Sequence, residues 1–260
     1  MKNVALITGA SNGIGRELAH IHAERGGDLI AVATNSERLD ALKSDLEGKN
    51  GVNVMVIVQD LTVDGAARQV FDTVSEAGVE VDLLINNAGF GGQGRFDERE
   101  WQDDLAMIQL NIIALTELTR HFLPGFVARN RGRILNVSST ASLLPGPLQA
   151  VYFATKAYVT SFSNALSGEL HDSAVTVTNL MPGATETGFA NTAGLEKTGL
   201  FTQAVTARSV AQDGYAAMIR GDMDVISGLS FLQRMMLRLT AIAPKKMVLQ
   251  QVRAMQEVRA

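Results

Sequence analysis

From its first residues to about position 226 the chain alternates short runs dense in Val, Ile and Leu with longer helical patterns, and few folds accept that alternation. The runs fall at residues 4–8, 29–33, 52–59, 81–86, 133–138 and 175–181, with a weaker one at 224–226. They are continuous rather than alternating with polar residues, as in strands covered by helices on both faces. Helical patterns lie between them at 13–25, 37–46, 63–77, 98–128, 150–171 and 207–220. Asp97 and Glu100 are spaced as an N-cap and its reciprocal partner at the start of the fourth. A length of 260 residues, 46% hydrophobic and 19% charged, suits one large unit, and no repeat, low-complexity tract or linker divides it. The predicted fold is α/β: a doubly wound parallel sheet in a single domain over residues 1–260.

The first run leads directly into Thr8-Gly9-Ala10-Ser11-Asn12-Gly13-Ile14-Gly15 and then into a helix. Three glycines at such a turn let the backbone approach a pyrophosphate, whose charge is met by unpaired amides and the positive end of the helix dipole. Strand, glycine turn and helix in that order read as a dinucleotide site of Rossmann type, though a glycine-rich turn without ligand has the same composition.

A second pattern concerns chemistry. Tyr152 and Lys156 are four apart on one predicted helix, so phenol and ammonium share a face, and Ser139 stands thirteen residues before the tyrosine. Carbonyl reduction requires a hydride at carbon and a proton at oxygen, and a positioned phenol is a proton donor.

Four separated motifs together resemble the short-chain dehydrogenase/reductase family in its compact single-domain branch. They are the glycine turn, Asn86-Asn87-Ala88-Gly89, Ser139 with Tyr152-Phe153-Ala154-Thr155-Lys156, and Pro182-Gly183-Ala184-Thr185-Glu186-Thr187. Their order and intervals match the family from residue 1 to about 190, most closely the general oxidoreductases related to 3-ketoacyl and hydroxysteroid reductases.

The resemblance implies an NAD(P)-dependent oxidoreductase that interconverts a lipophilic ketone, or a 3-oxoacyl-type carbonyl, and the secondary alcohol. Tyr152 is then general acid for reduction and base for oxidation, and Ser139 bonds the substrate oxygen. Lys156 grips the nicotinamide ribose, and its nearby ammonium favours the phenolate. Ser138 is the rival for Ser139, but strand alternation sends neighbouring side chains to opposite faces. Asn111, a polar residue among Ile108, Leu110, Ile112 and Ile113, matches a family residue that kinks its helix and holds a water linking the lysine to solvent. Gly9, Ser11, Asn12, Gly13, Ile14 and Gly15 fall to the pyrophosphate, Asp60 and Leu61 to the adenine, and Asn87, Ala88 and Gly89 to its ribose. Pro182, Gly183, Thr185 and Thr187 flank the nicotinamide, with Thr187 at its carboxamide. Asp60 and the Asn-Asn-Ala-Gly run also make good turns unaided.

The end of the second strand faces the adenosine 2′ position. Ala33, Thr34, Asn35 and Ser36 are neutral there, so nothing repels a 2′-phosphate, and Arg38 is the nearest cation. This favours NADP(H) slightly over NAD(H), although Thr34 and Asn12 stand where phosphate-binding relatives often carry basic residues.

Other classes are disfavoured. A net charge of −4 without a basic block argues against nucleic acid, and the lack of cysteine removes disulfides, thiolate metal sites and a thiol nucleophile. His20, His22, His121 and His171 lack metal-ligand spacing and read as helix-surface residues, so no metal is expected. The chain passes almost at once into its first strand and carries no bilayer-length apolar stretch, which suggests a cytoplasmic protein.

The substrate is expected among Phe90, Leu143, Leu144, Pro145, Gln149, Phe189 and Phe201, mostly apolar and without a cation for a carboxylate, with a substrate loop at about 184–206. The segment at about 229–260 reads as an amphipathic extension, apolar but studded with Arg234, Arg238, Lys245, Lys246 and Arg253. It could pack on the domain or on a second subunit of a homo-oligomer, or lie on a membrane surface. A cofactor-binding sensor without turnover, or a dehydratase or epimerase of the same family, are the alternative functions.

Overall fold

The computed structural model describes residues 1–189, 193–194, 204–240 and 243–257, apart from the Arg238 side chain. Phe201 and much of the expected substrate loop lie outside them.

In the first half, β1 (Ala5–Thr8) runs into α1 (Gly13–Glu24), β2 (Leu29–Ala33) into α2 (Ser36–Asn50), β3 (Val54–Val58) into α3 (Ala66–Glu76), and β4 (Leu83–Asn86) into α4 (Trp101–Ile108). A π-helical segment (Gln109–Ala114) joins α4 to α5 (Leu115–Ala128). The second half is β5 (Arg133–Val137), α6 (Ala150–Glu169), β6 (Thr176–Pro182), a small pair β7 (Thr185–Glu186) and β8 (Val205–Thr206), α7 (Ala207–Arg220) and β9 (Asp224–Ser227). The last described helices are α8 (Phe231–Leu239) and α9 (Lys245–Gln256).

Seven strands form one parallel sheet in the order β3-β2-β1-β4-β5-β6-β9. Side chains alternate across it, so Ile7 packs with Leu18, Leu39 and Tyr215 on one face while its neighbour Leu6 packs with Val70, Leu118 and Phe126 on the other. Both faces are therefore core, as the unbroken apolar runs require. Strand order reverses between β1 and β4, where an open α/β sheet forms its ligand crevice.

Most departures from the sequence pattern have local causes. α2 continues past residue 46 to Asn50 because its terminator is Gly51, in the left-handed region at φ 64°. Glu100 is the N-cap of α4 but makes no side-chain capping bond, and Asp97 is drawn instead to Arg95, at 2.8 and 3.1 Å. A two-pronged, charge-assisted contact outcompetes a backbone amide, so the expected reciprocal cap does not form.

The histidines also differ from expectation, since only His171 is exposed. His22 is fully buried, with Nε2 2.7 Å from Asn3 O and Nδ1 2.8 Å from Tyr215 Oη. A carbonyl can only accept, so Nε2 carries the proton and Nδ1 accepts from the tyrosine. Among the described residues no group of three or more His, Cys, Asp or Glu could hold a metal.

The amino ends of the strands are tied by carboxylates. Asp28 accepts from the backbone N–H groups of Lys2 at 2.6 Å and Asn53 at 2.8 Å, and Asp82 accepts from Val4 N at 2.9 Å. No described helix is long and apolar enough to cross a membrane.

Candidate active site

The carboxyl ends of β1, β4, β5 and β6 open onto a cavity of about 1110 Å³. At the end of β1 its wall is largely glycine backbone. Gly9 and Gly13 take positive φ of 67° and 53°, which side chains rarely tolerate. A Cβ at Gly13 would lie 2.9 Å from Thr187 Cγ2, and one at Gly15 2.3 Å from Gly9 O. Gly9, Ser11, Asn12, Gly13 and Ile14 line the cavity, while Gly15 stands behind them as a packing position. Asn12 caps α1, its Oδ1 accepting from Gly13 N at 2.8 Å. The cradle fits a pyrophosphate at the positive end of α1.

Thr34 and Arg38 line the far end of the cavity. Asn35, between them, caps α2 by accepting from Arg38 N at 2.8 Å. A side pocket of about 180 Å³ adjoins this end, lined by Ala33, Thr34, Asp60, Leu61, Ala88 and Leu110. Asp60 serves its own turn as well, bonding Thr62 N at 2.9 Å and Thr62 Oγ1 at 2.7 Å. Asn87 stitches the sheet: its Nδ2 donates to Thr8 O at 2.9 Å, and Thr8 Oγ1 accepts from Asn87 N and Ala88 N at 3.0 Å. Ala88 and Gly89 continue the wall.

From the last residue of β6 onward, Pro182, Gly183, Thr185 and Thr187 line the cavity opposite the cradle. Two of their hydroxyls shape the loop. Thr185 Oγ1 donates to Gly183 O at 2.9 Å, and Thr187 Oγ1 accepts from Phe189 N at 3.1 Å.

At the other end α6 presents Tyr152 and Lys156, both buried. The Tyr152 hydroxyl is hydrogen-bonded to Ser139, and Lys156 Nζ donates to Val137 O at 2.9 Å, 5.9 Å from the tyrosine ring centre. The two serines part as neighbours on a strand do. Ser138 turns to α6, donating to Lys156 O at 2.9 Å, while Ser139 caps the following turn through Ala141 N at 3.1 Å and meets Tyr152.

Burial pushes the Tyr152 phenol up to about 12, with the Ser139 hydrogen bond pulling the other way. Burial likewise pushes the Lys156 ammonium down to about 8. The sequence pointed to a phenol lowered by its lysine, but loss of water around both groups is the larger effect here.

Asn111 lies in the π segment, outside the cavity wall. Its Nδ2 donates to Phe90 O at 2.9 Å and Thr155 Oγ1 at 3.0 Å, and its Oδ1 accepts from Phe90 N at 3.2 Å. A Cβ at Gly89 would meet Asn111 Oδ1 at 2.9 Å and Lys156 Nζ at 3.2 Å, so the three positions converge.

Of the residues expected around the substrate, Phe90, Leu144, Gln149 and Phe189 line the cavity, whereas Leu143 and Pro145 do not. The sequence did not place Phe153, Met236, Leu237, Val248, Val252 and Met255 in that wall. The available signal was the i, i+4 spacing of Val248 and Val252 with Gln256, which gives the last helix one inward face.

A family profile described as short chain dehydrogenase matches residues 3–198. An NADP-dependent 3-hydroxy acid dehydrogenase of Salmonella typhi is 38% identical over 181 residues, 69% of this chain and 71% of that protein. The solved structure of a short-chain dehydrogenase from Sphingobium yanoikuyae in complex with NADPH superposes with a TM-score of 0.83 at 32% identity, covering 92% of this chain and 93% of the other. That of a bulky-bulky ketone specific alcohol dehydrogenase from Comamonas testosteroni gives 0.80 at 30% identity, with 92% of each chain covered. With the sheet order, the glycine cradle and the Ser139, Tyr152 and Lys156 cluster, these likenesses show that the chain belongs to the short-chain dehydrogenase family, as an oxidoreductase of the CH–OH/C=O pair.

Proposed function

We propose that the protein reduces an uncharged, lipophilic ketone or 3-oxoacyl-type carbonyl with NADPH, and that Tyr152 is its general acid. The observation that carries this reading is the Tyr152 phenol, buried beneath apolar side chains, bonded to Ser139 and raised to about 12. At neutral pH such a phenol keeps its proton until a developing alkoxide takes it, and the phenolate left behind is the base of the reverse reaction.

Bound NADPH supplies the hydride. Gly9, Ser11, Asn12, Gly13 and Ile14 would hold its pyrophosphate, Asp60, Leu61, Ala88 and Gly89 its adenosine, and Pro182, Gly183, Thr185 and Thr187 its nicotinamide half. Ser139 and Tyr152 both address the substrate oxygen, one orienting it and the other protonating it. With a pKa of about 8 Lys156 is charged at neutral pH, so a phenolate formed beside it meets a cation. Asn111 fixes the Phe90 loop against Lys156 and keeps that corner polar.

The preference for NADPH is supported by Arg38 and Thr34 at the adenosine end and by the lack of a carboxylate at the end of β2. The NADP-dependent relative and the NADPH-bound neighbour support it as well. An apolar substrate is supported by Phe90, Leu144, Phe153 and Phe189, and by the ketone specificity in the name of the Comamonas protein. Exposed Trp101, Ile113 and Tyr158 on the helices from α4 to α6 support assembly into a homo-oligomer.

The test is loss of NADPH absorbance against a panel of aryl and aliphatic ketones and 3-oxoacyl thioesters, with NADH in parallel. Turnover of at least one neutral ketone, faster with NADPH, is expected. Turnover confined to charged substrates would overturn the reading.

A further inference from the structure

The last described helix roofs the tyrosine. Val248 and Val252 of α9 share one buried cluster with Met107, Tyr152 and Phe153. Gln256, the last residue of α9, is only 3% exposed, a depth its amide reaches only with partners. Gln149 is N-cap of α6, three residues before Tyr152, and donates from Nε2 to Gln256 Oε1. Gln93, in the loop after β4, donates from Nε2 to Gln256 O. That loop is braced in turn: Gln93 O accepts from Arg99 Nη1 at 2.9 Å, and Arg99 pairs at 2.8 Å with buried Asp104. Two segments flanking the tyrosine thus grip one residue of the tail.

What the roof encloses carries little charge. Among the described residues lining the cavity, Arg38 and Lys156 alone are charged; Arg38 is at the adenosine end and Lys156 faces Tyr152. A substrate anion under α9 would lose its water without gaining a partner.

We propose that Gln256 is a positioning residue: it latches α9 over Tyr152, and the latched roof restricts the site to uncharged ketones small enough to be enclosed between α9 and α6. The proposal rests on the reductase reading and deepens it. α9 lies beyond residues 3–198, the segment matched by the family profile.

Gln256→Leu keeps bulk and removes the amide. With NADPH and butyrophenone, KM should rise about tenfold while kcat falls less than about threefold, the size expected for one lost buried hydrogen bond. NADPH affinity, read by fluorescence titration, should stay at the wild-type value, which also shows the variant is folded. Gln149→Leu should raise KM similarly, and the double variant should be no worse than the worse single one. A KM unchanged in Gln256→Leu, or effects that multiply in the double variant, would overturn the latch. Wild-type kcat/KM for the benzoylacetate anion equal to that for butyrophenone would overturn the selection against charge. Calorimetry with butyrophenone and protein saturated with NADP⁺ separates the two claims. Wild type that binds the ketone yet never reduces it would remove the reductase reading and leave the roof. Binding by Gln256→Leu as tight as by wild type would remove the roof alone.

Discussion

Asn111 holds Phe90 by both edges of its peptide, donating to the carbonyl at 2.9 Å and accepting from the N–H at 3.2 Å, from a turn of helix wound with π rather than α geometry. The wider turn is where a single helix re-aims a side chain, and here it aims an amide at the loop that carries Gly89 and Phe90. Asn111→Leu should leave both Phe90 groups without their partner and cost about 1–3 kcal/mol, seen as a lower melting temperature, with kcat reduced as well. Unchanged melting and kcat would mean the loop is held by other contacts.

Tyr152→Phe keeps the ring among Phe153 and Phe189 and removes the proton. Turnover should fall by about 10²- to 10⁴-fold, with NADPH affinity nearly intact. Retention of more than about a tenth of wild-type kcat would exclude Tyr152 as the acid.

Lys156 is a stability cost at neutral pH. Its folded pKa of about 8 lies below the ordinary 10.5, so between those values the unfolded chain binds a proton that the folded chain does not. Stability from this group therefore rises with pH through that window, and the full cost stands below it. Lys156→Met should stabilise the protein at pH 7 by up to about 3 kcal/mol, less what the lost bond to Val137 returns, while abolishing activity. Urea unfolding from pH 7 to pH 10 should show the difference shrinking, and a difference independent of pH would refute the charge argument.

Cofactor choice should turn on three neighbouring positions. Arg38→Ala is expected to weaken NADPH about tenfold or more and leave NADH nearly unchanged, as for the loss of one charge-assisted contact. Thr34→Arg should move the kcat/KM ratio toward NADPH, and Ala33→Asp toward NADH by repelling the phosphate. If none of the three moves the ratio by more than about twofold, the adenosine ribose binds elsewhere.

Much of this was legible in the sequence because it follows from short-range rules. Continuous apolar runs specify strands covered on both faces, three glycines at a strand end specify a turn without side chains, and four-residue spacing puts Tyr152 and Lys156 on one face. The residues that escaped depend on partners distant in the chain. His22 looks like a surface residue until Tyr215, 193 positions later, is brought against it. Gln256 reads as a tail glutamine until Gln149 and Gln93 converge on it. The failed cap at Asp97 is local but turns on competition, since pattern alone does not say that Arg95 will claim the carboxylate first. Electrostatic balance was the least visible part: the sequence shows which charges are neighbours, but not how much water each one loses.

The carboxylates of Asp28 and Asp82 fasten the sheet at the end remote from Tyr152. Endurance and selectivity are consequently assigned to opposite poles of the molecule. Variation near Asp28 and Asp82 will register in how well the protein withstands heat, whereas variation in the last two helices will register in what it accepts.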